Sequence, residues 1–211
     1  MNLQARNLGC TRGDAELFSG LEFSLGAGEA LRVAGANGSG KSSLLRILCG
    51  LAQPPAGELR WNGRDIRRLR EEYCAQLLYL GHANGVKDEL LAWENLAMSA
   101  RLAGQRLNCD AACELLGMLG LERSAELPTR ALSQGQRKRV ALARLWLRPA
   151  RALWILDEPF AALDADAAAQ LCDRIDGHLA GGGMLVYTTH QELPLGAGSH
   201  RRLDLNGAAA C

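Results

Sequence analysis

Gly35-Ala36-Asn37-Gly38-Ser39-Gly40-Lys41-Ser42 fits the spacing G-x-x-x-x-G-K-[ST] without a mismatch. Glycines so placed let backbone N–H groups turn inward and approach an anion closely. Lys41 adds a full positive charge at the β- and γ-phosphates of a nucleotide, and the Ser42 hydroxyl takes a place on Mg²⁺. Ser43 follows in the first turn of the helix that must come next, and counts with the binding residues. A second pair, Asp157-Glu158, closes the apolar run 152–156. A carboxylate at the C-terminal edge of a parallel strand beside a phosphate loop is where a Mg²⁺ shell needs it, which gives Asp157 to the metal. Glu158, one residue on, projects differently and can orient and polarise an attacking water. Together these residues imply a chain that binds a nucleoside triphosphate.

Between the two motifs lies Leu132-Ser133-Gln134-Gly135-Gln136. Ser133 and Gly135 read as the start of a helix with apolar positions at Val140, Leu142 and Leu145. A hydroxyl, bare N–H groups and the helix dipole make a second anion cradle. Two cradles in one chain invite a head-to-tail dimer, each closing over the other subunit's nucleotide. Arg137-Lys138-Arg139, taken alone, reads as a solvated basic face.

Positioning these groups needs a strand before the glycine loop and a helix after it. Glu29–Ala34 is apolar enough for a buried strand, and residues 43–48 carry helical apolar spacing that runs out at Gly50. Further strands are expected at 2–8, before a Gly13-Asp14 turn, at 21–25 and at Leu77–Leu80, and residues 59–66 look like a strand leading into a tight turn around Asn62-Gly63. From Leu90 to about Gly120 the pattern turns helical, with Leu91, Leu96 and Leu102, then Leu115, Leu116 and Leu119. That block interrupts a β-α-β rhythm, so about 90–145 is expected as a helical subdomain inserted into one α/β domain spanning 1–211. Strands return at 152–156 and Met184–Thr188, with a helix at about 166–179 closed by Gly181-Gly182-Gly183. Residues 201–205 with Asn206-Gly207 suggest an edge strand and turn. The fold class is α/β, a P-loop NTPase with a mixed or parallel sheet core.

Composition narrows the function. At 211 residues the chain suits one well-packed α/β domain, and its net charge of +1 gives no electrostatic case for nucleic acid. No charge-free apolar window reaches the roughly 18 residues of a membrane span. Residues 1–6 have no apolar leader region, so no signal peptide is expected. The seven cysteines are odd in number, scattered, and free of C-x-x-C, which reads as reduced thiols. Cys109 and Cys113 can share a helix face, but no histidine or further cysteine lies near in sequence to complete a metal site.

Residues 35–42, 132–136, 153–159 and 162–164, with His190 after the strand 186–189, resemble in order and spacing the ATP-binding cassette (ABC) ATPase family over nearly the whole chain. The resemblance implies that Ser133 and Gly135 contact the γ-phosphate held by a partner subunit. It places Asp164 in a loop coupling the two sites, and sets His190 to hold the γ-phosphate and the water. Two departures stand out. The third signature residue, usually glycine, is Gln134, and the glutamine expected after Tyr79-Leu80-Gly81 is His82. Near Cys10–Arg12 no aromatic is present to stack on adenine, a part the Arg12 guanidinium can take.

A narrower resemblance lies in residues 79–90, in Trp93-Glu94-Asn95-Leu96 and in Leu145-Trp146-Leu147. These are similar to the ATP-binding subunits of the haem exporters of bacterial cytochrome c maturation, single short cassettes with histidine at the glutamine position. That resemblance implies ATP and Mg²⁺ as ligands, a homodimer of ATPase subunits, and integral membrane partners. It also implies a peripheral place on the cytoplasmic side of the inner membrane, and delivery or release of haem through a periplasmic haem chaperone. His82 then serves the γ-phosphate or an interface; with no C-x-x-C-H in the chain, nothing points to haem binding here. The alternatives are a cassette for another small solute, or a soluble ABC ATPase acting on nucleic acid or ribosomes. The long coiled-coil insert or tandem cassette usual in the latter is missing from this sequence.

Overall fold

The computed structural model describes residues 1–147, 151–190, 195–196 and 198–206. Two long strands open the chain, β1 (Asn2–Arg12) and β2 (Ala15–Gly26), antiparallel across the Gly13-Asp14 turn. β1 also pairs antiparallel with β4 (Glu58–Trp61), which turns through Asn62-Gly63 into β5 (Arg64–Asp65). Asn62 and Gly63 have φ of 50° and 80°, the left-handed pair that a two-residue hairpin of the right twist requires. These four strands form one sheet in the order β2-β1-β4-β5.

A second sheet runs β6-β7-β8-β3-β9. Its strands are β3 (Glu29–Ala34), β6 (Leu77–Leu80), β7 (Leu153–Leu156), β8 (Met184–Thr188) and β9 (Ser199–Asp204). β7 and β8 are buried at every residue, the pattern of central strands in a parallel sheet covered on both faces. β7 pairs parallel with β8, β8 with β3, and β3 with β9, which lies at the edge as the sequence suggested. The register sets Leu156 opposite Tyr187 and Val33 opposite Thr188. One residue further along, Asp157 therefore leaves the sheet beside Thr188, next to the loop after β3. Ligands collect at this carboxyl edge of parallel strands.

Helix α1 (Lys41–Leu48) buries Leu44, Leu45, Ile47 and Leu48 in a core shared with Leu3, Leu8, Phe18, Leu25, Ile155 and Val186. Helix α2 (Arg70–Gln76), unread in the sequence, buries only Tyr73, whose hydroxyl donates to the Leu48 carbonyl across 2.6 Å. A seven-residue segment with one buried apolar residue carries no helical period to detect. By contact density these strands and helices belong to one compact unit built from Met1–Tyr79, Arg151–Glu158 and Asp176–Cys211.

The other unit, Leu80–Ala150 with Pro159–Ile175, is helical. It holds α3 (Ala92–Leu102), α4 (Cys109–Met118) and α5 (Gln134–Leu142), and α6 (Ala165–Ala180) starts in it. The expected helical stretch from Leu90 to Gly120 is two helices. Gly104, at φ 80°, ends the first, and the Asn108 side chain caps the second by accepting from the Ala111 amide at 3.0 Å. The buried face of α3 is Ala92, Leu96 and Ala100, at steps of four. Of the leucines expected there, Leu91 is the cap residue and Leu102 is 83% exposed. Their spacing of five and six from Leu96 turns them off that face. Among the described residues no helix is long and apolar enough to cross a membrane.

Candidate active site

The loop between β3 and α1 is shaped for an anion. Gly40 precedes the helix at φ 99°, and a Cβ there would sit 3.1 Å from the Phe18 ring and from Leu17. A Cβ on Gly35 would run into the Ser39 hydroxyl, itself buried without a hydrogen-bond partner. A side chain at Gly35 would clash, and one at Gly40 would be crowded and strained at this positive φ. The first helical bond of α1 is Leu44 N–H to Gly40 O at 2.8 Å, so the amides of Lys41, Ser42 and Ser43 have no intrahelical acceptor. No side chain caps them and no acid lies in that first turn. Lys41 folds its ammonium back on the loop, donating to the Gly35 and Ala36 carbonyls at 2.8 and 3.0 Å. Free amides, the helix dipole and one cation converge on residues 35–43, which is the donor set a polyphosphate takes.

Beside it, Ser42 Oγ donates to Asp157 Oδ2 across 3.0 Å, while Thr188 Oγ1 donates to Asp157 Oδ1 across 2.7 Å. Asp157 is buried. A hydroxyl and a carboxylate held face to face are oxygen donors suited to a hard cation such as Mg²⁺. Glu158 sits at φ 47°, a left-handed backbone rare for a side chain of its size, and its amide donates to Thr188 Oγ1 at 2.9 Å. Glu158 Oε1 lies 3.4 Å from Nε2 of the exposed His190. Sequence-expected Lys41, Ser42, Asp157, Glu158 and His190 are thus placed around one sheet edge.

In the helical unit, Ser133 is the N-cap of α5. Its hydroxyl accepts from Gln136 N–H at 3.2 Å and the Gln136 side chain accepts from Ser133 N–H at 2.9 Å. The cap leaves the serine proton free to donate. A Cβ on Gly135 would fall 2.7 Å from the Ala162 carbonyl, so glycine lets this helix start approach the loop that carries Asp164. Asp164 caps α6 by accepting from Ala167 N–H at 2.9 Å and lies 3.4 Å from Arg139.

The basic run is not a solvated face. Lys138 is buried, Arg137 donates to the Arg130 and Leu132 carbonyls, and Arg139 donates to the Leu119 carbonyl. Three adjacent residues point three ways round a helix, so they cannot share one exposed face. His82 is exposed, two residues beyond β6. Cys109 and Cys113 do share a face, with Sγ atoms 3.9 Å apart, and the fold brings the exposed Glu126 to them, a neighbour that sequence distance hid. Burial and the contact with Cys109 push the Cys113 thiol up to about 11, and burial pushes Cys10 and Cys49 up as well. These thiols keep their protons at neutral pH.

Two site residues escaped the sequence reading. Thr188 was read only as the end of a strand; the signal was a hydroxyl closing an otherwise apolar run. Asn206 was read as a turn, but its Oδ1 accepts the Ala36 amide at 3.0 Å and steadies the loop.

Residues 18–161 match the ABC transporter family. The chain belongs to that family. It is 51% identical over 208 residues to the cytochrome c biogenesis ATP-binding export protein CcmA of Aromatoleum aromaticum, covering 99% of this chain and 97% of that one. To its namesake in Nitrosomonas europaea it is 53% identical over 191 residues, 90% and 89% of the two chains. Within the ABC family it therefore groups with these ATP-binding export proteins, as an ABC ATPase. In fold, it superposes on an ABC transporter ATP-binding protein of Pyrococcus furiosus with a TM-score of 0.83 over the full length of both chains, at 23% identity.

Proposed function

We propose that this chain is the ATP-hydrolysing subunit of a haem exporter acting in cytochrome c maturation, and that residues 1–211 form one cassette with an inserted helical subdomain at about 90–145. The reading of the site rests on one observation: Ser42, Asp157, Glu158 and His190 are drawn together beside a glycine loop whose free amides and lysine form an anion cradle. The reading of the cargo rests on half-identity, over nearly the whole chain, to proteins named for cytochrome c biogenesis and export.

Residues 35–43 bind the phosphates. Lys41 exchanges its two carbonyl partners for phosphate oxygens, and the free amides of α1 take the rest. Ser42 and Asp157 would hold Mg²⁺, which would supply neutralisation of the charge on the phosphates. Glu158 orients the attacking water, and His190, beside it, steadies the water and the γ-phosphate. Ser133 and Gly135 reach the nucleotide of a second copy of the chain, so the working unit is a homodimer. His82 serves the γ-phosphate edge or the interface with integral membrane subunits. The complex sits on the cytoplasmic face of the inner membrane and releases haem toward a periplasmic haem chaperone. No part of the reading calls for nucleic acid.

A deletion strain scored for covalently attached c-type haem, complemented with wild type or Lys41→Ala, tests the proposal. Loss of c-type cytochromes rescued only by wild type is expected. Normal cytochromes in the deletion strain would overturn the haem assignment and leave the ATPase.

A further inference from the structure

We propose that Thr188 is a positioning residue for hydrolysis, one hydroxyl that aligns the carboxylate of Asp157 and the backbone of Glu158 together. The inference rests on the roles given above to those two acids and extends them to a residue outside the glycine loop, the signature and the acidic pair.

The directions of both hydrogen bonds are forced. A hydroxyl has one proton to give and two lone pairs to receive with. The Glu158 amide can only donate, so Thr188 Oγ1 accepts from it at 2.9 Å. That leaves the hydroxyl proton for Asp157 Oδ1, at 2.7 Å. Thr188 is fully buried as the last residue of β8, paired in register with Val33. Its β-branched side chain has few rotamers to choose from, and packing on both sides of the sheet selects one. The oxygen is therefore aimed by the sheet itself.

Two consequences follow for the acids. With Oδ1 engaged, the carboxylate plane of Asp157 is fixed so that Oδ2 faces Ser42 at 3.0 Å, the place where a cation would sit. The bond to the Glu158 amide holds that residue at φ 47°, a conformation that needs support from its surroundings. From this turn, Glu158 Oε1 reaches within 3.4 Å of His190 Nε2. Thr188 and His190 are two apart on the same chain segment. One fixes the base of the acidic turn and the other meets its tip. The Thr188 hydroxyl bridges the two acids.

The test uses the full-length chain with Thr188→Val, which keeps the shape and removes the hydroxyl, and the pair Thr188→Ser and Thr188→Ala, which differ from each other by the hydroxyl alone. Binding of a fluorescent ATP analogue is measured in EDTA and in Mg²⁺, alongside kcat and KM for ATP. Affinity in EDTA should be unchanged, because the loop and Lys41 are untouched. The Mg²⁺-dependent gain in affinity and kcat should each fall about tenfold or more in the Val and Ala variants, the usual effect of losing a group that orients a metal ligand. Serine should rescue both. Wild-type Mg²⁺ dependence and kcat in Thr188→Val would overturn the proposal. If that variant does not fold, equal values for Ser and Ala would overturn it. Asp157→Asn and Glu158→Gln run in parallel: if those two retain wild-type behaviour, the underlying reading of the acids fails, whereas if they lose it and Thr188→Val does not, Thr188 alone is dismissed.

Discussion

The Ser42 hydroxyl donates to Asp157 Oδ2 across 3.0 Å, joining the first turn of α1 to the end of β7 over a sequence separation of 115 residues. Each partner offers an oxygen to the same small space, which supports the proposed cation site. Ser42→Ala removes one of the two donors while leaving Lys41 and the loop amides in place. The expected result is nucleotide binding close to wild type in EDTA, with the Mg²⁺ concentration for half-maximal hydrolysis raised about tenfold or more. A Mg²⁺ titration of ATPase activity reads this directly, and an unshifted midpoint would remove Ser42 from the metal site.

Lys41 is the one side-chain cation inside the motif, and its ammonium is parked on two backbone carbonyls of the loop it closes over. Removing the lysine takes one side-chain hydrogen bond from each of those carbonyls and leaves the backbone bonds of the loop in place, so Lys41→Ala should fold normally. Charge-assisted hydrogen bonds contribute about 1.5–3 kcal/mol each, so loss of those to phosphate should weaken nucleotide affinity about a hundredfold. Equilibrium binding at fixed Mg²⁺ checks it, with a thermal melt of the unliganded protein to show that the fold is intact. Wild-type affinity would remove the lysine from phosphate binding.

How much of this was legible in the sequence depended on whether the signal was local. Glu29–Ala34, Leu77–Leu80 and Met184–Thr188 were read to the residue because each run is too short for a helix and its end is marked by glycine or a polar residue. The loop residues 35–42 announce themselves by spacing alone. Non-local contacts did not. Thr188 and Asn206 enter the site only because parallel pairing brings four strand ends to one edge, a fact of register and not of spacing. Helix α3 was found but its face was misread, because alanines at Ala92 and Ala100 bury the helix more closely than leucines would. The eye follows leucine where close packing prefers small side chains. The basic triplet failed in the opposite sense, since charge was taken to mean exposure while backbone carbonyls of the same unit hold Arg137 and Arg139.

Gly135 offers a test of the second cradle apart from the first. A Cβ there would meet the Ala162 carbonyl at 2.7 Å, and Ala162 is already at φ 63°. Gly135→Ala must therefore push the start of α5 from the loop before α6, at a cost of about 1–3 kcal/mol for overpacking. Binding of a single nucleotide to residues 35–43 should survive, while hydrolysis that depends on a second copy should fall. ATPase activity followed against protein concentration, beside nucleotide affinity and a denaturation curve, separates the two effects. Unchanged activity at every concentration would show that this helix start takes no part in turnover.

Asn95 supports the stretch that follows His82. It is buried, and its side-chain oxygen accepts the Lys87 amide at 2.7 Å while its nitrogen donates to the Lys87 carbonyl at 3.0 Å and to Thr129 Oγ1 at 2.8 Å. Thr129, fully buried, passes its own proton to the Leu90 carbonyl at 3.0 Å. One amide thus holds both backbone groups of Lys87, beside the backbone bonds from Leu90 N–H to the Lys87 carbonyl and from Arg130 N–H to the Asp88 carbonyl. Asn95→Ala strands the Lys87 amide, at about 1–3 kcal/mol, and takes one hydrogen bond each from the Lys87 carbonyl and the Thr129 hydroxyl, which keep the Leu90 amide and the Leu90 carbonyl as partners. The helical unit should lose about 1–3 kcal/mol in chemical denaturation. Because Asn95 and Thr129 share one network, the double variant Asn95→Ala/Thr129→Val should cost less than the two single changes summed. Additive costs would mean that the two side chains act separately. Nucleotide affinity at residues 35–43 should be preserved in all three variants, so that a loss of c-type haem maturation in cells carrying Asn95→Ala traces to the segment after His82 and not to the phosphate loop.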